Sequence, residues 1–163
     1  MDTRGTTAEI SGPVAAGKPV IRPVRFEDLP ACVAMIVQLR NETYWRNIEG
    51  DSQVDVMSLS IAHRLATNAN VCLFVAELDG KLIGLCGGEI VSHWLAPQVS
   101  LLGEWAWWVV ETHRKGSVGA RLWLSVVAWA KERGVRYGGR NKVESAERHG
   151  SILGIETFTM KEL

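Results

Sequence analysis

The run "VCLFVAELDGKLIGLCGGEIVSHW", residues 71–94, sets the tightest limit on the fold. Both halves are rich in apolar and β-branched residues, and Asp79-Gly80 lies between them, a dipeptide that favours the positive-φ turn of a tight hairpin. "SLLGEWAWWVV", residues 100–110, supplies a third β segment, so an antiparallel meander is expected. A different pattern follows. "HRKGSVGARLWL", His113–Leu124, crowds glycines, a serine and basic residues into the place where a helix begins. "SVGARLWLSVVAWAKERG" then sets Val118, Leu122, Val126 and Trp129 on one face and ends in Gly134, a fitting C-cap.

The flanking segments read more simply. "PVIRPVRF", Pro19–Phe26, is a short strand, and Glu27 and Asp28 favour the start of a helix whose apolar stripe is Leu29, Val33, Ile36 and Val37. After a loop, "YWRNIEGD", a second amphipathic helix carries Val54, Met57, Ile61 and Leu65. Beyond Gly134 we expect a strand around Val135–Tyr137, a polar helical stretch over Glu144–His149 and a last strand near Ile155–Met160. The order β-α-α-β-β-β-α-β-α-β describes an α/β (α+β) chain with a mixed, mostly antiparallel central sheet flanked by helices.

A chain of 163 residues with 47% hydrophobic content fills one core. We expect a flexible tail over residues 1–18 and a single domain over 19–163. The tail has acidic residues and no apolar core, so it does not read as a signal peptide, and no apolar run reaches the roughly 20 residues that span a bilayer. Acidic and basic residues balance at 18 each, so neither nucleic acid nor an acidic membrane is expected as a partner. Cys32, Cys72 and Cys86 form no CxxC pair and read as reduced core thiols of a cytoplasmic protein without a metal.

The chemistry starts at the helix junction. The first N–H groups of a helix lack internal partners and carry partial positive charge, so an anion can bind there on backbone alone. Gly116 and Gly119 let the backbone approach, and Arg114 and Lys115 add full charges. The P-loop is excluded, because here the glycines are three apart and followed by Ala120. The dinucleotide fingerprint is excluded because the loop leaves an antiparallel meander rather than a βαβ unit. A flexible phosphate ligand suits the loop.

The pattern resembles the pyrophosphate loop of the GNAT family, the Gcn5-related N-acetyltransferases, commonly written Q/R-x-x-G-x-G/A. Arg114, Ser117 and Gly119 fall on its fixed positions, with Ser117 in place of the usual middle glycine. The likeness runs from "VIRPVRFEDLPACVAMI" through the hairpin to "LGIETFTMKEL" and is strongest over Trp107–Val135. Within the family, "EWAWWVVETHRKGS" resembles virus-encoded members from bacteriophages, which leaves a bacteriophage-type or a bacterial member as the alternatives. The resemblance implies a GNAT-like fold and acetyl-CoA as acyl donor. It implies that the pantetheine arm pairs with backbone of Trp107, Trp108 and Val109. The pyrophosphate would meet amides of Lys115, Gly116, Ser117, Val118, Gly119 and Ala120, with Arg114 beside it. The indoles of Trp105, Trp107 and Trp108 are expected only to pack.

The implied reaction is direct transfer of an acetyl group to a primary amine in a ternary complex, without metal or covalent enzyme intermediate. The acceptor is a small molecule or a protein, and a homodimer is allowed. Attack needs a deprotonated amine, which a carboxylate or imidazole can supply. Glu104, inside an apolar strand, is the first candidate base. Glu89 is the second, because Gly87 and Gly88 beside it leave room for a substrate or a bulge. His93 and His113 read as strand-end and turn residues. Where many members place a proton-donating tyrosine this chain has Gly150, and Ile155 replaces a phenylalanine. His149, one residue away, is the candidate acid for the leaving thiolate. Tyr44 and Tyr137 sit elsewhere. The other class of function is an acyl-CoA-binding protein without turnover.

Overall fold

The computed structural model describes residues 17–42, 54–143 and 156–163. Strand β1 (Val20–Pro23) leads into helix α1 (Leu29–Glu42), and helix α2 (Val54–Thr67) precedes strands β2 (Val71–Leu78), β3 (Lys81–Ser92) and β4 (Ser100–Val109). Helix α3 (Val118–Lys131) then crosses over to strands β5 (Tyr137–Val143) and β6 (Glu156–Glu162). One six-stranded sheet follows chain order, β1-β2-β3-β4-β5-β6. Every neighbouring pair is antiparallel except β4–β5, which the α3 crossover makes parallel. The polar helical stretch expected over Glu144–His149 lies outside the described residues, as do the loop "YWRNIEGD" and Tyr44 within it.

The hairpin turns where expected. Asp79 (φ 50°) and Gly80 (φ 76°) both adopt positive φ, the combination a two-residue turn needs to match strand twist. Alternation along β2 then splits the core in two. Cys72 and Ala76 point to the side covered by Leu122, Val126 and Ala130 of α3. Leu73 and Val75 point to Cys32 and Met35 of α1, with Ile61 and Leu65 of α2 packed behind.

Local departures have packing causes. The buried stripe of α1 is Leu29, Cys32, Val33 and Met35. It is rotated from the expected Leu29, Val33, Ile36 and Val37 because α1 packs against both the sheet and α2. In α3 Ala130 takes the innermost place expected of Trp129, whose ring lies at the rim under the Arg133 guanidinium, 4.5 Å away. Gly134 ends the turn after α3 with φ 77°. Strand β5 starts at Tyr137, past the buried Val135.

Asp28 sits in a single 3-10 turn ahead of α1 and is buried. Its carboxylate accepts from the Arg25 amide at 2.7 Å and from Arg22 Nη1 at 2.6 Å, while Arg22 Nη2 reaches Glu77 Oε2 on β2 at 2.6 Å. One guanidinium thus ties β1, β2 and the start of α1 together. That bond, helped by the Arg25 amide, holds the Asp28 carboxyl below its ordinary pKa against the opposing effect of burial. Burial pushes the Cys32 thiol up to about 12 and the Cys72 thiol to about 11, as expected of inert core cysteines.

Candidate active site

Strand β4 keeps β3 beside it along its length but touches β5 only through Leu101, Leu102 and Gly103, opposite Tyr137, Gly138 and Gly139. From Arg140 onward β5 continues with β6 alone. Past Gly103 the pairing of the two parallel strands ends, and among the described residues no strand lies beside the edge of β4 over residues 104–109. Glu104 is the first residue beyond the fork.

A bulge sits at the same place. Gly87 pairs with Ala106 and Gly88 with Glu104, which leaves Trp105 as the extra residue on β4. The Trp105 indole lies on Gly87, where an added Cβ would be 2.3 Å from a ring carbon. A Cβ on Gly88 would meet Val126 of α3 at 2.5 Å, so no side chain fits on either face. Of the two readings of the double glycine, room for a substrate or a bulge, a bulge is found here, and this close approach is what requires glycine.

The bulge also sorts the candidate bases. Glu104 lies opposite Gly88 and shares its α3 face, with Oε2 shut off from solvent. Glu89 turns to the other face, where it pairs with Arg64 of α2 at 2.7 Å. The sheet therefore separates the two carboxylates. His93 Nδ1 accepts the Leu95 and Ala96 amides at 3.2 Å each, so it fastens the β3–β4 turn. His113 Nδ1 lies 2.9 Å from Thr112 Oγ1 in a 3-10 turn. His149 and Gly150 fall outside the described residues.

At its far end β4 runs into the basic loop. The Val110 amide donates to Ile83 O on β3 at 2.9 Å, so by strand alternation Trp107 and Val109 turn their backbone groups to the open edge while Trp108 turns to β3. Lys115, Gly116 and Ser117 are exposed. Ser117 occupies the N-cap of α3, and its hydroxyl makes no capping bond. The first helical bond is Arg121 N to Ser117 O, 2.9 Å, so the amides of Val118, Gly119 and Ala120 precede the ladder. The Val118 side chain is buried in the α3 core, and a Cβ on Gly119 would stand 3.4 Å from the Trp107 indole. Gly119 thus packs on β4, while Gly116 faces open space apart from His113 O at 3.5 Å.

The Arg114 guanidinium is engaged within the protein. Its Nε donates to Val109 O at 2.7 Å, its Nη2 reaches both Glu42 carboxylate oxygens at 2.9 and 2.6 Å, and it lies 5.4 Å from the Trp108 ring centre. Nothing in the loop motif signals Glu42, 72 positions away. Among the described residues, the buried indole N–H groups of Trp105 and Trp108 meet no acceptor, which sequence patterning does not disclose.

Among the described residues no cluster of His, Cys, Asp and Glu side chains is placed to hold a metal ion, and no helix is long and apolar enough to cross a membrane. The acetyltransferase (GNAT) family model matches residues 35–152. The chain belongs to that family. Its GNAT fold is shared with a predicted acetyltransferase from Clostridium acetobutylicum, solved with acetyl-CoA, at 16% identity and TM-score 0.63, covering 82% of this chain and 90% of that one. An N-acetyltransferase from Staphylococcus aureus matches at 20% identity and TM-score 0.66, covering 81% and 78%. AAC(6')-Iy in complex with the bisubstrate analogue CoA-S-monomethyl-acetylneamine matches at 16% and 0.64, covering 82% and 86%. No curated protein has a matching sequence.

Proposed function

We propose that this GNAT protein transfers an acyl group, acetyl first among them, from acyl-CoA to a primary amine by direct attack in a ternary complex. The observation that carries this reading is the open edge of β4, residues 104–109, running into the uncovered N-terminus of α3. An extended chain of amides needs the first and a diphosphate needs the second, and acyl-CoA has both joined in one molecule.

In this reading the pyrophosphate lies on amides from Lys115 through Ala120 and the pantetheine arm pairs with the open-edge groups of Trp107 and Val109. Trp108 contributes packing. The arm directs the thioester toward the fork, where Glu104 takes a proton from the amine, directly or through water. The new C–N bond forms as the C–S bond breaks, and the departing thiolate takes up a proton. Glu89 on the opposite face serves as the second candidate base, and His149 as the candidate acid. The acceptor is a small-molecule or protein amine. The small-molecule class has support from the AAC(6')-Iy complex with an acetylneamine analogue. A cytoplasmic location suits a chain with free, buried cysteines, and a homodimer remains part of the proposal.

Free thiol released from acetyl-CoA in the presence of an amine panel, with products weighed by mass spectrometry, tests the reaction. Amine-dependent thiol release is expected. Acetyl-CoA binding without release under any amine would establish the non-catalytic binding protein instead, the reading that Gly150 in the place of a tyrosine favours.

A further inference from the structure

The loop's arginine invites a different role from the one its motif suggests. Among the described residues three contacts hold the Arg114 guanidinium: Val109 O, which is the last open-edge carbonyl of β4, the carboxylate of Glu42, the last residue of α1, and the Trp108 ring. Resting on the acyl-CoA reading above, we infer that Arg114 is a positioning residue, a clamp that sets the donor loop against β4 and α1, rather than a phosphate ligand.

Two consequences follow from the geometry. Nε already takes one of the two lone pairs of Val109 O, so the pantetheine arm can use the Val109 N–H and both Trp107 groups and must share that carbonyl with Arg114. The Glu42 carboxylate neutralises the guanidinium, which therefore adds little net charge to an anion site. Exposed ion pairs contribute little by themselves, and this one is 40% and 46% exposed on its two sides. Its weight is geometric, because a second nitrogen of the same planar group, Nε, is fixed by the Val109 bond. Lysine, a compact ammonium, lacks the planar pair of nitrogens that fixes this geometry.

The sign of one substitution separates clamp from ligand. Glu42→Gln removes a negative charge near the anion site, so if Arg114 were a phosphate ligand held back by Glu42, acetyl-CoA should bind more tightly. The clamp predicts the reverse, a loss of about 2- to 10-fold, the size of one hydrogen bond's net contribution. Calorimetric titration with acetyl-CoA of wild type, Glu42→Gln, Arg114→Lys and the double variant reads this. The double variant should lose no more than the worse single one, since either change opens the same clamp. In steady-state kinetics the loss should appear in KM for acetyl-CoA rather than in kcat. Hydrogen exchange of the free protein gives an answer that needs no ligand: the amides of residues 114–120 should exchange faster in Glu42→Gln than in wild type. Tighter binding, additive losses or unchanged exchange would overturn the clamp. Wild type that fails to bind acetyl-CoA while the exchange difference persists would overturn the acyl-CoA reading and leave the clamp standing.

Discussion

Glu104 occupies a costly position, because a carboxylate oxygen removed from water inside an apolar sheet face loses hydration that it must recover elsewhere. A structural carboxylate and a catalytic one differ in a measurable way. Glu104→Gln should keep acetyl-CoA binding and lower turnover by about 10² to 10⁴, the usual worth of a general base, as read by thiol release. Unchanged turnover would move the role to Glu89, or to bulk water acting on an acceptor of low pKa. Ser117, whose hydroxyl makes no capping bond, makes a second test. Ser117→Ala should weaken CoA binding by about 0.5 to 1.5 kcal/mol, and Ser117→Gly by less because glycine lets the loop backbone approach. Equal binding by the alanine variant would mean that the hydroxyl points away from the phosphates. Gly116, with room around it, is the place to test the anion site by charge. Gly116→Asp should fold yet abolish acetyl-CoA stabilisation, whereas a bulky group at Gly119 would press on Trp107 and confuse packing with binding.

Among the elements, β3 and β4 depend most on one close approach. A Cβ on Gly87 would lie 2.3 Å from the Trp105 ring, so Gly87→Ala must push the indole or flatten the bulge, at a cost of about 1–3 kcal/mol in urea unfolding. An alanine variant as stable as wild type would show that the bulge yields freely. The junction of β1, β2 and α1 depends instead on charge. Asp28 has its pKa depressed, chiefly by Arg22, so its contribution is present above the unfolded carboxyl value of about 3.9 and is lost as pH falls through the lower folded value. Wild-type stability should decline below about pH 5. Asp28→Asn should be less stable at pH 7 and flatter across that acid range. Parallel pH profiles for the two proteins would show that Asp28 is not the group responsible.

For the molecule as a whole, a ligand present at about 100 times its dissociation constant stabilises by about 2.7 kcal/mol, so acetyl-CoA should raise the melting temperature, and no shift at millimolar concentration would count against the site. Much of this architecture was legible in the chain. Asp79-Gly80 dictates its own turn through φ, the apolar runs dictate β2, β3 and β4 by period, and the glycine-rich loop dictates a bare helix start; all are properties of neighbours in sequence. The last strand, expected near Ile155–Met160, is β6 at Glu156–Glu162, whereas β5 was harder to read. "YGGRNKV" has little β propensity, and position 138 needs glycine because a Cβ there would crowd Leu163 at 2.8 Å and Leu102 at 3.0 Å. That is a packing demand made by other strands. The same distinction runs through the candidate site. The loop that would receive the phosphates was readable, since backbone amides at a helix start need no distant partner. The fork after Gly103, the opposite faces taken by Glu89 and Glu104, and the contact of Arg114 with Glu42 were decided only by tertiary structure. Each depends on which residues a twisted sheet and its crossover bring together across many positions of chain, and no local propensity encodes that.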